Sequence, residues 1–260
     1  MTKRRYLAVG GATGIGNHTC QQLMAAGHEV LLMDRAAPEF AVTQYIPIDL
    51  TDKTAVDAGL AQLEGNFDAL LNIAGLPPRE GLTQAIIAVN WVGLQYVTER
   101  VLSKINDGGV VINLASKAGQ AWQQNLDQVK SLVAVDDWQK VESWCESQQL
   151  EYIRAYNLSK EALIVWTKLL AARLIKRRIR VISVSPAAVA TGILDDFAKA
   201  FGGMMTANLE RVGRPGSVEE ISSVILSAAD PANSWLNGID IQVDGGMGAI
   251  MFSEQLAGSS

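Results

Sequence analysis

Short apolar runs alternate along the chain with longer stretches in which apolar residues recur every three or four positions. The runs are Tyr6–Val9, Val30–Met33, Tyr45–Ile48, Ala69–Ile73, Val110–Leu114, Val181–Val184 and Ile239–Val243. Most are nearly free of polar residues, as expected of strands buried on both faces. The periodic stretches cover Thr13–Ala26, which stops at Gly27, and residues 52–62, 82–104, 153–177 and 217–229. Each predicts a helix with one stripe turned to the core. Strand–helix alternation of this kind predicts an α/β fold: a single doubly wound domain over 1–260, with a central parallel sheet of about seven strands and helices on both faces. Two segments break the rhythm. Residues 120–150 are polar and rich in Trp with helical spacing, and read as an insertion. Residues 191–216 contain a Gly-Gly pair and read as a mobile flap over a site.

Composition narrows the function. Hydrophobic residues make up 48% and charged residues 19% of the 260, which excludes a disordered chain. A net charge of −5 argues against a nucleic-acid partner. The basic cluster Arg173, Lys176, Arg177, Arg178 and Arg180 falls at the end of a helix, where cations complement the dipole. Two cysteines, Cys20 and Cys145, make no CxxC pair, and two histidines, His18 and His28, make no His-rich metal site, so no metal is expected. No apolar run is long enough to span a membrane, and the basic start leads straight into a short strand rather than a secretory leader. These features predict a cytoplasmic protein with no membrane partner.

The first strand runs into Gly10-Gly11-Ala12-Thr13-Gly14-Ile15-Gly16. Glycine permits the tight turn and close backbone approach to a pyrophosphate, and the next helix presents free N–H groups and its positive dipole end. The spacing is G-x-x-x-G-x-G, not the commoner Rossmann G-x-G-x-x-G, but the physics is shared. Asp34 ends the second strand 18 residues beyond Gly16, near the spacing at which a carboxylate accepts from the adenosine ribose. It would repel the 2′-phosphate of NADP, whereas Arg35 would balance one. Thr13, not a basic residue, precedes Gly14, so NAD is expected over NADP.

Tyr156 and Lys160 stand four apart on one predicted helix face. A free phenol has a pKa of about 10 and is a poor base. An ammonium about 4 Å away at an effective dielectric near 20 contributes roughly 4 kcal/mol, about three pKa units. The pair is therefore expected to bring the phenol near neutrality, where general acid/base catalysis is efficient.

Taken in order, these motifs resemble the short-chain dehydrogenase/reductases. The set comprises Gly10-x3-Gly14-x-Gly16, Asp34, Asp49-Leu50, Asn72-Ile73-Ala74-Gly75, Asn90, Ser116, Tyr156/Lys160, Ser185-Pro186-Ala187-Ala188-Val189-Ala190-Thr191 and Asp244-Gly245-Gly246. The resemblance implies that Tyr156 is the general acid/base and that Lys160 lowers its pKa and binds the nicotinamide ribose. It implies that Ser116 bonds the substrate oxygen beside Tyr156 and that Asn90 holds a water in the proton relay. Asp49 and Leu50 would meet the adenine, Ala74 and Gly75 the adenosine ribose, and Val189 and Thr191 the carboxamide. Val9 stands where the family usually has Thr, and Ala187 replaces the usual Gly. Ser116 and Tyr156 are 40 residues apart, far more than usual, and the Gly75–Asn90 link is short.

That combination looks like the bacterial 3α-hydroxysteroid dehydrogenase/carbonyl reductase branch and the coniferyl alcohol dehydrogenases. It implies an NAD-dependent enzyme acting on a bulky apolar secondary or allylic alcohol or its carbonyl. Ile193, Leu194, Phe197, Phe201, Met204 and Met205, with Trp122 and Leu76-Pro77-Pro78, either wall an apolar pocket or merely pack the flap. The alternatives are a small polyol, a sugar or an acyl-thioester ketone, or a catalytically silent dinucleotide-binding protein. Family helices carrying Asn90 and Tyr156 commonly pair between subunits. The 120–150 insertion would cover that face, so a homodimer is expected rather than a tetramer.

Overall fold

The apolar runs assemble into one sheet in a computed structural model that describes residues 2–258. Met1, Ser259 and Ser260, the ends of the expected 1–260 domain, lie outside the described residues. The strands are β1 (Arg5–Val9), β2 (Glu29–Asp34), β3 (Gln44–Pro47), β4 (Phe67–Asn72), β5 (Ile105–Leu114), β6 (Arg180–Pro186) and β7 (Ile239–Val243). Their order is β3-β2-β1-β4-β5-β6-β7, and every neighbouring pair is parallel. The helices are α1 (Gly14–Ala25), α2 (Lys53–Leu60), α3 (Thr83–Ile87), α4 (Leu94–Val101), α5 (Leu126–Val133), α6 (Val141–Ser147), α7 (Tyr152–Leu174), α8 (Leu194–Val212), α9 (Val218–Ala229) and α10 (Met247–Gly258). This is a Rossmann-type domain.

Register divides the sheet between two cores. Leu7, Leu31, Leu70, Val111 and Val181 face the layer containing α4, α7 and the insertion helices α5 and α6. Tyr6, Ala8, Leu32, Leu71 and Ile182 face the layer of α1 and α9. The strand order reverses between β1 and β4, which opens a crevice at their C-terminal ends. Both chains leave the sheet together there: the Ile73 and Ala74 N–H groups donate to the Val9 carbonyl at 2.8 and 2.7 Å. A buried amide ladder fixes the central register. Asn72 donates to Asn113 Oδ1 and Thr98 Oγ1, and Asn113 donates to Thr167 Oγ1, each at 2.9 Å.

The helices depart from the sequence pattern at three places. The stretch 82–104 is not one helix: α3 gives way to a π-helical turn at Ala88–Gly93 before α4. Its buried Asn90 side chain is fastened to the backbone of Leu76, and π-helical turns recur at such functional points. The 191–216 segment is mostly helix, with α8 broken at Gly202, whose φ of 51° and ψ of −131° interrupt it. The apolar tail beyond β7 folds as α10, which no periodicity announced because its apolar residues go all round.

Candidate active site

The glycine turn is built by contact rather than by flexibility alone. Gly10 has a φ of +86°, and a Cβ there would sit 2.3 Å from Ala74 backbone atoms. A Cβ on Gly16 would sit 2.3 Å from the Gly10 carbonyl oxygen. The turn folds tightly because neither position carries a side chain. Asp34 braces it: its Oδ2 accepts the N–H groups of Gly11 at 2.8 Å and Ala12 at 2.9 Å, while Oδ1 accepts that of Ala36 at 3.0 Å. The carboxylate expected to meet a ribose thus also shapes the phosphate turn. The N-cap of α1, Thr13, makes no side-chain cap bond, and no acid occupies the first turn. The helix's leading N–H groups have no partner within the helix, and nothing anionic competes with a phosphate for them.

A cleft of about 1910 Å³ runs from this turn across the ends of β4, β5 and β6. Gly10, Thr13, Gly14, Ile15, Gly16, Asp34, Arg35, Asp49, Leu50, Ala74, Gly75, Val189 and Thr191 all line it, together with Ser116, Tyr156 and Lys160. These residues fit a dinucleotide: a left-handed glycine at position 14, φ +56°, opens onto the Thr191 methyl at a virtual Cβ distance of 3.7 Å.

Tyr156 and Lys160 lie one turn apart on α7 and are only 5% and 4% exposed. Burial pushes the phenol up to about 12, against which a hydrogen bond from the Ser116 side chain pulls it down. Burial likewise pushes the Lys160 amine down to about 8. The expected neutral-range phenol is therefore corrected: desolvation outweighs the neighbouring amine. The geometry agrees, since Nζ donates to the Leu114 carbonyl at 2.8 Å and lies 5.8 Å from the Tyr156 ring centroid.

Asn90 does not line the cleft. It is fully buried behind it, where Oδ1 accepts from the Leu76 N–H at 2.7 Å. Its Nδ2 donates to the Leu76 carbonyl at 3.1 Å and to Ser159 Oγ at 3.3 Å. Ser159 Oγ in turn donates to the Tyr156 carbonyl at 2.7 Å. Asn90 therefore ties the Gly75–Leu76 loop to the helix that carries Tyr156.

Ile193, Phe197, Phe201, Met204, Met205, Leu76 and Pro77 line the apolar end, whereas Leu194, Trp122 and Pro78 do not. Trp122 instead packs against the helical core. Phe197 meets the Tyr156 ring edge-on at 5.3 Å and stacks with Phe201 at 6.3 Å, so α8 does more than cover the domain. Arg79 grips Asp196 at the head of α8 through two bonds, 3.2 and 2.7 Å. Sequence reading missed this clasp, and missed Met247, Met251 and Phe252 of α10 in the cleft wall. A charged pair 117 residues apart leaves no local pattern.

The sequence comparisons agree with this geometry. The family profile described as short chain dehydrogenase matches residues 5–126, and one described as Enoyl-(Acyl carrier protein) reductase matches 140–248. A coniferyl-alcohol dehydrogenase of Pseudomonas sp. (strain HR199 / DSM 7063) is 33% identical, covering 95% of this chain and 97% of its own. The chain belongs to the short-chain dehydrogenase/reductase family. Within it, the chain also resembles a 3-alpha-hydroxysteroid dehydrogenase/carbonyl reductase of Comamonas testosteroni, 28% identical over 93% of this chain and 95% of that one. The 3-alpha-hydroxysteroid dehydrogenase of Pseudomonas sp. B-0831, solved with NADH, superposes with a TM-score of 0.79 at 26% identity. That match covers 95% of this chain and 98% of the other. The family is one of oxidoreductases that use a nicotinamide dinucleotide, and no helix among the described residues is long and apolar enough to cross a membrane.

Proposed function

We propose that the protein is an NAD(H)-dependent oxidoreductase interconverting a bulky apolar secondary or allylic alcohol and its carbonyl. The observation that carries this reading is the buried Tyr156, with the Ser116 hydroxyl near enough to lower its pKa and Lys160 one turn away, in a cleft that joins the glycine turn to an apolar wall. The glycine turn with Thr13, Gly14, Ile15 and Gly16 would hold the pyrophosphate, and Asp34 the adenosine ribose. Asp49, Leu50, Ala74 and Gly75 would flank the adenosine, with Val189 and Thr191 at the carboxamide end. The bound coenzyme supplies or accepts the hydride.

The chain's own groups handle the proton and the orientation. Tyr156 gives its proton to the carbonyl oxygen in reduction and takes it from the hydroxyl in oxidation. Ser116 holds that oxygen beside the phenol. Lys160 contributes positive charge behind the phenol and donors for the nicotinamide ribose. Asn90 keeps the loop and α7 in register. Asp34 favours NAD, because a carboxylate already accepting three N–H groups has no accommodation for a 2′-phosphate.

For assembly, the reading remains a homodimer. The insertion sits on α4 and its π-helical lead-in, with Trp91 Nε1 donating to the Val135 carbonyl at 2.9 Å and Trp138 Nε1 to that of Leu50 at 2.8 Å. The experiment is a panel of apolar, polyol and sugar alcohols followed by NADH absorbance with each coenzyme. The expected result is NAD-dependent turnover of the apolar set, and a loss of roughly 10²–10⁴-fold in kcat/KM for Tyr156→Phe. Undiminished turnover in that variant, or a preference for NADP, would overturn the corresponding part.

A further inference from the structure

The cleft carries polar side chains beside Ser116, although Phe197, Phe201, Met251 and Phe252 also line it. Lys117 follows Ser116 directly. Its Nζ lies 2.9 Å from Asp244 Oδ2 in a largely buried pair, the two side chains 21% and 10% exposed. The same ammonium donates to Gln242 Oε1 at 3.3 Å, and Gln242 Nε2 donates to Gln120 Oε1 at 3.0 Å. Gln120 Nε2 donates to Asp240 Oδ2 at 2.7 Å, and Ser183 and Ser185 both donate to Asp240 Oδ1 at 2.7 Å. Lys117, Gln242 and Gln120 face the cleft, and the two aspartates anchor the row from behind.

Two features mark the row as more than scaffolding. Asp244 also accepts the N–H groups of Gly246 and Gly248, at 3.0 and 2.9 Å, so α10 is seated on the same carboxylate that holds Lys117. Gly248 packs directly against the row, where a Cβ would stand 2.7 Å from Lys117 Nζ, 3.1 Å from Asp244 Oδ2 and 3.4 Å from Gln242 Oε1, so only a residue without a side chain lets α10 start here while Lys117, Gln120 and Gln242 still line the cleft. The bonds described commit two of the three ammonium protons and one of the two on Gln242 Nε2. The proton transfer at Tyr156 uses none of these groups.

Charge decides what the row takes. Asp244 already balances Lys117, so a carboxylate would bring an uncompensated charge into a partly desolvated place. A neutral oxygen accepts the spare protons at no such cost, and a hydroxyl can also donate back to an amide oxygen. We propose that Lys117, Gln242 and Gln120 form a second substrate subsite, for a neutral hydroxyl or carbonyl oxygen on the end of the substrate's apolar skeleton remote from the reacting carbon. This rests on the oxidoreductase reading of Ser116 and Tyr156 and deepens it: the preferred substrate is an apolar-bodied alcohol or ketone with two oxygen functions.

The test compares 4-phenylcyclohexanol with 4-(4-hydroxyphenyl)cyclohexanol, identical but for a distal hydroxyl. Calorimetry gives the Kd of each for the NADH-loaded protein, where neither alcohol can be oxidised; turnover with NAD is measured separately. The hydroxylated compound is expected to bind roughly tenfold tighter or more, since a site built for a hydroxyl penalises its absence. Gln242→Leu, which keeps the Lys117–Asp244 pair and the seat of α10, is expected to reduce that ratio to about threefold or less, and Gln120→Leu serves as the second variant. Equal affinities, or a ratio that survives both variants, would overturn the subsite. Tighter binding of the hydroxylated compound without turnover of either would uphold the subsite and overturn the redox reading. Turnover without the affinity difference would do the reverse.

Discussion

Lys160 is a base buried without a carboxylate beside it, and that has a consequence for stability. Its amine sits at about 8 when folded, held down by desolvation, against an ordinary 10.5. Between those values the unfolded chain binds the proton that the folded chain has released, so stability rises with pH across that window. The gain is on the order of 3 kcal/mol for a shift of this size. Tyr156, pushed up to about 12, acts oppositely but only above about pH 10. Chemical denaturation between pH 8 and 10 is therefore expected to show a rising component that Lys160→Met lacks. Parallel profiles for the two proteins would contradict the buried-amine account. The same burial keeps the phenol protonated at neutral pH, so alcohol oxidation is expected to accelerate toward alkaline pH while carbonyl reduction does not, which initial rates in both directions will show.

Among elements, the decisive contact is between the 3-10 turn Lys117–Gln123 and α7. Gly119 is packed so closely that a Cβ would stand 2.7 and 2.8 Å from the Lys160 carbonyl carbon and oxygen. A backbone neighbour cannot move aside as a side-chain tip can. The buried Glu161 clamps the same junction, accepting from Asn125 at 2.9 Å and from the two terminal nitrogens of the Arg154 guanidinium at 2.8 Å. Together these set how close Ser116 comes to Tyr156. Gly119→Ala is expected to cost about 1–3 kcal/mol of stability by overpacking. It should also lower kcat well beyond any change in coenzyme Kd, because Ser116 is carried away from the phenol while the glycine turn is untouched. An unaltered kcat in a folded variant would show that the junction does not position the serine.

For the whole molecule, the insertion packs on α7 and α3 and on the π-helical turn through Trp91, Val129 and Leu132, and reaches α4 through the Trp138–Tyr96 ring contact. A family tetramer that pairs those helices between subunits would have to displace it. Multi-angle light scattering is expected to give the mass of a dimer; a stable tetramer would refute the covering role.

Which features the sequence determined follows from the range of the forces involved. Strand runs, the glycine turn, Asp34 and the Tyr156/Lys160 spacing are local, because burial on both sheet faces, a tight turn and a helical repeat each demand particular residues within a few positions. All seven strands and the tight glycine turn after the first were legible for that reason. Only the tertiary structure decided the rest. Desolvation of Tyr156 depends on everything packed around it, so a pairwise estimate from two neighbours on a helix gave the wrong sign. Asn90 left the cleft wall because Leu76 and Ser159, distant in sequence, claimed its amide. The Arg79–Asp196 clasp and the Lys117–Gln242–Gln120 row join residues more than a hundred positions apart, and such contacts come into being only when the sheet has brought its strand ends together.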